Sequence, residues 1–280
     1  MYDHRMIGYR GRPLFQVAKM RSPGKDQGTL VDVACFYYIL KGSTRVIEGN
    51  GLFASQKQEG LLKSCGSFIG EYFPDEDGSD FEALVIFLYP DMLREIYKDQ
   101  LPAFPLKDAK AHAPRNFVGN ELVSRFIESL FIYFDNESLM DEELAKLKLK
   151  ELVMILLKSQ YFDGVVDFFK SLFAPKNTSF REVIENNLFN DLSVEQLAFL
   201  THKSVSSFKR VFKKEFGETP ARYIKSRRLE AAAGKLLVSK DPVSAIAYDC
   251  GFQDVTTFSA SFREKFSMPP SQYRLTQIRK

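Results

Sequence analysis

Tryptophan is absent from this 280-residue chain, and cysteine and histidine occur only three times each. Cys35, Cys65 and Cys250 are odd in number and widely scattered, which excludes a disulfide framework and a cysteine-rich zinc module and fits a reduced cytoplasm. With only His4, His112 and His202 available, no histidine-built metal site is expected, and no cofactor. No apolar run approaches the ~18–20 residues of a membrane span, and the charged start Met1-Tyr2-Asp3-His4-Arg5 does not read as a signal peptide. The expectation is a cytoplasmic protein without membrane contact. Its 45% hydrophobic and 27% charged residues can bury a core, over a length that suits two domains.

The net charge of +3 conceals a split. From Pro175 to Lys280, Lys and Arg number 18 against 11 Asp and Glu, leaving 21 against 25 in the chain before it. A basic C-terminal third on a mildly acidic body suggests a module for a polyanion attached to something else.

Residues near 14–90 read as strands. Apolar, β-prone runs at Leu30–Leu40, Phe81–Tyr89, Arg45–Ile47, Leu61-Leu62 and Ser67–Ile69 are broken by Gly42, Gly49-Asn50-Gly51, Gly60, Gly66 and Asp77-Gly78. Both alternating faces of Phe81–Tyr89 are apolar, so that strand should be covered on both sides, in a barrel or sandwich with helices outside. A short helix is expected over Asp91–Asp99, closed by Pro102 and Pro105. From Asn116 to Phe173 the period becomes helical, with a stripe Leu122, Phe126, Leu130, Phe134, a second helix over Asp141–Lys158 and a third over Tyr161–Phe173. The excess apolar surface on these helices suits either an intramolecular core or a subunit interface, and a homodimer through them is the expectation. Residues 174–178 read as a linker, giving a β-rich domain over 1–115, its helical dimerisation segment over 116–173, and a separate domain over 179–280.

The last domain reads as seven short helices with well-marked starts. Ser179 with Glu182, and Ser193 with Gln196, match capping boxes; Ser204 and Asp254 sit at N-cap positions; Thr219-Pro220 and Asp241-Pro242 place a capping side chain before a proline at the first helical position. Gly217 and Gly251 fall at helix ends. A duplication is visible. Phe208, Phe212 and Phe216 correspond to Phe258, Phe262 and Phe266, each triplet on a longer helix that follows a short helix and a turn, the helix-turn-helix plan, over about 193–216 and 242–266. Opposite the phenylalanines the first longer helix carries Ser206, Lys209, Arg210 and Lys213, and the second Thr256, Ser259, Ala260 and Arg263. Such faces suit the major groove, where Arg or Lys reads guanine edges and Ser or Thr pairs with several bases. Ser204 joins the candidate contacts at the start of the first helix. The connecting helix, about Pro220–Val238, would be about 28 Å long, near the ~34 Å of one DNA turn.

The segments Leu192–Ala198, Ser204, Phe208–Phe212, Phe216–Pro220, Arg228-Leu229 and Leu236-Leu237, followed by Ile246-Ala247, Gly251–Asp254, Phe258-Ser259, Phe262-Arg263, Pro269 and Gln272–Arg274, resemble the AraC/XylS-type transcription regulators. The resemblance covers about the last 100 residues. It implies base contacts from Ser206, Lys209 and Arg210, and from Thr256, Ser259 and the position of Ala260. Three places depart from the pattern: Thr201-His202-Lys203 stands where the family has Ala-Gly-x, Ala260 where it has Arg or Lys, and Ser267 where it has glycine. The N-terminal layout resembles the family's cupin-like or ExsA-type regulatory domains, a β-barrel followed by helices that dimerise.

The fold class expected is therefore α+β in two domains: a cupin-like barrel with dimerisation helices, then an all-α domain with two helix-turn-helix units. The function expected is a bacterial, sequence-specific regulator that binds double-stranded DNA and works with RNA polymerase, as an activator or as a repressor. A small-molecule effector or a regulatory protein would act at the N-terminal domain. No catalytic residue is expected. A metal-dependent cupin enzyme would need a histidine cluster, an alkyl-transfer repair protein an activated cysteine. An adaptor that has lost DNA binding would not keep Lys209, Arg210 and Arg263 on exposed stripes.

Overall fold

A computed structural model of the chain describes residues 3–97, 116–117, 120–159, 162–173 and 179–275. The expected linker 174–178, the prolines Pro102 and Pro105, and His112 lie outside the described residues. The chain divides into two compact units, Met1–Glu48 with Leu52–Asn177, and Gly49–Gly51 with Thr178–Lys280.

Among the described residues, ten strands precede the second helix: β1 (Asp3–Tyr9), β2 (Arg12–Met20), β3 (Gly24–Leu30), β4 (Ala34–Lys41), β5 (Ser43–Glu48), β6 (Gly51–Gln56), β7 (Gly60–Lys63), β8 (Gly66–Phe73), β9 (Phe81–Leu88) and, after helix α1 (Pro90–Tyr97), β10 (Asn116–Phe117). They form a six-stranded sheet, β1-β2-β9-β4-β7-β10, and a four-stranded sheet, β3-β8-β5-β6. Helices α2 (Glu121–Asp135), α3 (Glu142–Leu157) and α4 (Phe162–Phe173) complete the unit. Strand β9 is covered on both sides. Leu84, Ile86 and Leu88 join the core formed with α1 to α4, while Phe81, Ala83 and Val85 cluster with Tyr72 and Leu30 of the smaller sheet.

Several sequence expectations need correction. The run Leu30–Leu40 is two strands in different sheets, parted at Val31–Val33, where Asp32 takes a left-handed conformation (φ 52°) that short polar side chains tolerate. The helical segment starts at Glu121 rather than Asn116, because Asn116 and Phe117 pair with β7. Leu122 is 62% exposed; the buried stripe of α2 is Val123, Phe126, Ile127, Leu130 and Phe134. A four-residue spacing admits either register, and only packing chooses.

The second unit contains α5 (Phe180–Asn186), α6 (Val194–Leu200), α7 (Val205–Phe216), α8 (Pro220–Val238), α9 (Val243–Asp249), α10 (Val255–Phe266) and α11 (Pro270–Leu275). Both capping boxes are present, Ser204 caps α7, and Asp254 caps α10 by accepting from the amides of Thr256 and Thr257. The two proline starts differ from expectation. Thr219 makes no side-chain cap, and Pro242 itself occupies the N-cap of α9, so Asp241 falls outside the helix and its carboxylate accepts from the Ser239 hydroxyl. Helices α7 and α10 both end in a left-handed residue, Gly217 (φ 79°) and Ser267 (φ 60°).

Two features of the fold carry consequences for stability. Lys63 of β7 is 2% exposed, with its Nζ 2.7 Å from the Phe68 ring centroid and 5.0 Å from that of Tyr37. Burial pulls its pKa from the usual 10.5 down to about 8, against the opposing pull of Glu48. The unfolded chain thus binds more protons between those values, and stability from this group is lost as pH falls through 8. The unfolding free energy of the wild type relative to Lys63→Met is expected to rise by about 2 kcal/mol between pH 7 and pH 9.5, measured by urea titration; a flat difference would contradict it. Ser267→Gly should stabilise the C-terminal unit by about 1 kcal/mol, since only glycine adopts a left-handed C-cap without cost. Chemical denaturation checks this, and an unchanged or lowered midpoint would count against it.

Candidate nucleic-acid interface

Two short-helix, turn, long-helix units lie side by side in the sequence of the second unit, α6-α7 and α9-α10. In the first, Phe208 and Phe212 are fully buried against Ile184, Leu188, Leu197 and Ala198, with Phe180, Phe216 and Tyr223 around them. In the second, Phe258 and Phe262 are buried against Leu229, Ala232, Leu236, Ile246 and Ala247, with Phe252, Phe266 and Tyr273 around them. The aromatic geometry repeats at an offset of 50 residues: Phe212–Phe216 and Phe262–Phe266 centroids both lie 4.5 Å apart, and Tyr223 and Tyr273 meet Phe212 and Phe262 edge-on at 5.7 and 5.3 Å. The duplication therefore runs past the helix ends into α8 and α11. The turn is four residues in the first unit and five in the second. Its left-handed residue is His202 (φ 54°) in one and Gly251 (φ 81°) in the other.

Burying the phenylalanines fixes which face is left outside. On α7, Ser206, Lys209, Arg210 and Lys213 are all exposed, and Lys214 is exposed beside them. On α10, Thr256, Ala260 and Arg263 are exposed, while Ser259 is half-buried. Ser204 is exposed too, but its hydroxyl already accepts from the Ser207 amide at 3.3 Å and lies 3.2 Å from the Ser206 hydroxyl. Gln253 was not among the candidates read from the sequence. It is exposed in the turn just before the Asp254 N-cap of α10, and its amide is the type that pairs with adenine. Helical periodicity gives no signal for Gln253, because it precedes the extended N-cap residue Asp254.

The electrostatics of the two faces differ. Glu195, at the start of α6, has its carboxyl held below the usual carboxylate range by backbone hydrogen bonding and by Ser193, with Lys209 adding an opposite charge. On α10, Lys265 is turned away from the exposed stripe: its ammonium donates to the Ser226 carbonyl at 3.1 Å and to Glu230 at 2.6 Å, and it also contacts the Ser226 hydroxyl. Glu264 pairs with Lys225 of α8 at 3.6 Å. Two of the three charged side chains near the end of α10 thus tie it to α8, leaving Arg263 outward.

The cysteines carry no sign of activated chemistry. Burial pushes the Cys35 thiol up to about 12 and raises that of Cys250 as well, and all three thiols are free. Among the described residues no group of three His, Cys, Asp or Glu side chains gathers in a way that could hold a metal ion, and no helix is long and apolar enough to cross a membrane.

Comparison with known proteins places both units. The family profile described as "Helix-turn-helix domain" matches residues 197–276, and that described as "ExsA N-terminal regulatory domain" matches residues 34–168. Multiple antibiotic resistance protein MarA of Salmonella typhimurium strain LT2 is 36% identical over 95 residues, which are 34% of this chain and 75% of that protein. Among solved structures, the DNA-binding domain of AdpA in complex with a target DNA is 27% identical with a TM-score of 0.34, over 35% of this chain and 90% of that one. ToxT of Vibrio cholerae O395, bound to (E)-4-(8-methylnaphthalen-1-yl)but-3-enoic acid, is 15% identical with a TM-score of 0.39, over 94% of this chain and 99% of that one. With the MarA match extending over three quarters of that protein and the helix-turn-helix profile falling on α6 to α11, the chain belongs to the AraC/XylS family of DNA-binding transcription regulators.

Proposed function

We propose that α7 and α10 enter successive major grooves of one DNA face, and that they divide the work. The observation that carries this reading is the exposed stripe of α7, Ser206, Lys209, Arg210 and Lys213, set directly opposite buried phenylalanines and repeated in layout on α10. Lys209 and Arg210 can make charged or bidentate contacts with base edges, whereas α10 offers Thr256, the half-buried Ser259, an Ala260 that donates nothing, and Gln253. Hydroxyls discriminate poorly between bases. The first unit then sets sequence, and the second mainly adds affinity, with Arg263 on phosphate and Gln253 as its one amide reader. Ser204 contributes through the cap that orders Ser206.

In this reading the C-terminal domain is a seven-helix module over 179–280, and the N-terminal part is a cupin-like input domain over 1–115 with a dimerisation segment over 116–173. The exposed apolar side chains Leu122, Ile132, Leu139 and Leu147 on and between α2 and α3 support a homodimer through that segment. The match to a regulatory-domain profile supports an input there, a small molecule or a protein. In the same reading the regulator acts from the cytoplasm with RNA polymerase as its partner.

Selection of duplexes from a random library by the full-length protein identifies the site. On single-base variants of that site, Arg210→Ala should cost about 1–3 kcal/mol and relax preference at one or two base pairs. Arg263→Ala should weaken all sequences alike and flatten the slope of log affinity against log salt by roughly one unit. If Arg263→Ala relaxes defined positions while Arg210→Ala weakens every site equally, the roles are reversed. Sedimentation at tens of micromolar should give a dimer for the wild type and a monomer for Leu147→Glu. A monomer for both would remove the dimer.

A further inference from the structure

One side chain of α8 reaches both helix-turn-helix units. The half-buried guanidinium of Arg228 donates from Nε to the Leu188 carbonyl at 2.7 Å, from Nη2 to the Asn190 carbonyl at 2.8 Å, and from Nη1 to the Gly251 carbonyl at 2.6 Å. The first two acceptors lie between α5 and α6, against the core of the first unit. The third is the left-handed residue in the turn of the second. The backbones meet closely here: a Cβ on Gly251 would fall 2.6 Å from the Phe189 carbonyl oxygen and 2.9 Å from Arg228 Cζ. The aromatic cores of the two units share no residue, and α8 joins them through Tyr223 and Ile224 in one and Leu229, Ala232, Ala233 and Leu236 in the other. Apolar packing along a helix tolerates small rotations, and a planar fork of fixed geometry bonded to both sides restricts them.

We infer that Arg228 is a positioning residue that fixes the separation and rotation of α10 relative to α7, and thereby the spacing between the two DNA segments the protein accepts. This rests on the reading that both helices engage DNA. Lysine keeps the charge and most of the stem, yet its single ammonium cannot span three carbonyls on two separate segments. Gly251→Ala disturbs the same junction from its other side, through the added Cβ and through a φ that suits only glycine.

The test is selection by full-length protein from a duplex library with a random core, for wild type, Arg228→Lys and Gly251→Ala, with the helical circular dichroism of each recorded at the binding temperature. Wild type should recover a strong box read by α7 and a weaker one read through Gln253, at one separation, about one helical turn between centres. Arg228→Lys and Gly251→Ala should recover the same boxes with separations spread over two or more base pairs. On the wild-type site, inserting one base pair between the boxes should cost the wild type about tenfold and the variants about threefold or less, a change in preference that loss of stability does not produce. A wild-type selection that yields the α7 box alone, with no second preference at any separation, overturns the two-helix reading and this inference with it. Two boxes at one fixed separation for wild type and Arg228→Lys alike overturns this inference alone. Loss of the helical signal in both variants overturns it too, since Arg228 would then support the fold rather than aim the helices.

Discussion

Helix α8 has to complete two hydrophobic cores at once, and the C-terminal unit is built around that requirement. Its first half gives Tyr223 and Ile224 to the Phe208–Phe212 core, and its second half gives Leu229, Ala232, Ala233 and Leu236 to the Phe258–Phe262 core. Helices of 7 to 12 residues, such as those on either side, do not persist in water on propensity alone. They hold because each phenylalanine stripe finds a wall on α8. The alanines at 232 and 233 keep that wall low, so that α9 and α10 can pack close to the helix axis. Polar contacts then finish what packing begins: Arg228 across the middle, Lys265 and Glu230 along the α8–α10 seam, and Tyr223 donating to Glu185 at 2.6 Å on the side of α5.

The exposed faces of α7 and α10 follow from this without any further design. A helix that commits Phe208, Phe212 and Phe216 to a core has no choice about where Lys209, Arg210 and Lys213 point. The two units nonetheless present different chemistry, because α10 spends part of its charge on α8. Lys265 is held by Glu230 and Ser226, and Glu264 faces Lys225, whereas Lys213 and Lys214 near the end of α7 stay exposed. The asymmetry between a cation-rich first helix and a hydroxyl-rich second one is thus partly a matter of sequence and partly of which lysines the fold consumes.

The N-terminal unit solves a different problem, covering a sheet on both faces. Strands β2, β9 and β4 turn Leu14, Val17, Leu84, Ile86, Phe36 and Tyr38 toward the helices, and Ala18, Val85, Cys35 and Ile39 toward the smaller sheet. Tyr38 crosses to the helical layer with its hydroxyl 2.8 Å from that of Ser124. Between the sheets the packing is not wholly apolar. Lys63 lies over the Phe68 ring, and Tyr72 donates to Asp26 at 2.8 Å, so the tyrosine is pushed up by burial and by the neighbouring carboxylate. Polar and charged groups between sheets cost stability that a purely apolar interior would keep.

The division into a sheet-rich part and a helical part, the pairing of short and long helices, the caps at Ser179, Ser193, Ser204 and Asp254, and the outward stripe on α7 were all determined by the sequence itself. Each rests on interactions between residues within four positions of one another, and such spacings survive in a linear reading. What the tertiary structure alone decided has longer reach. Whether Leu122 or Val123 faces the core of α2, that Leu30–Leu40 is parted between two sheets at Asp32, and that Asn116-Phe117 pairs with β7 all depend on partners tens of residues away. The same holds for the two sides of α10. Lys265 and Arg263 are two residues apart and equally basic in the sequence, and only the position of Glu230, 35 residues before Lys265, separates the one that binds α8 from the one left facing solvent. Arg228 is the extreme case, since its three carbonyl acceptors lie 40, 38 and 23 residues away and backbone carbonyls leave no trace in side-chain identity.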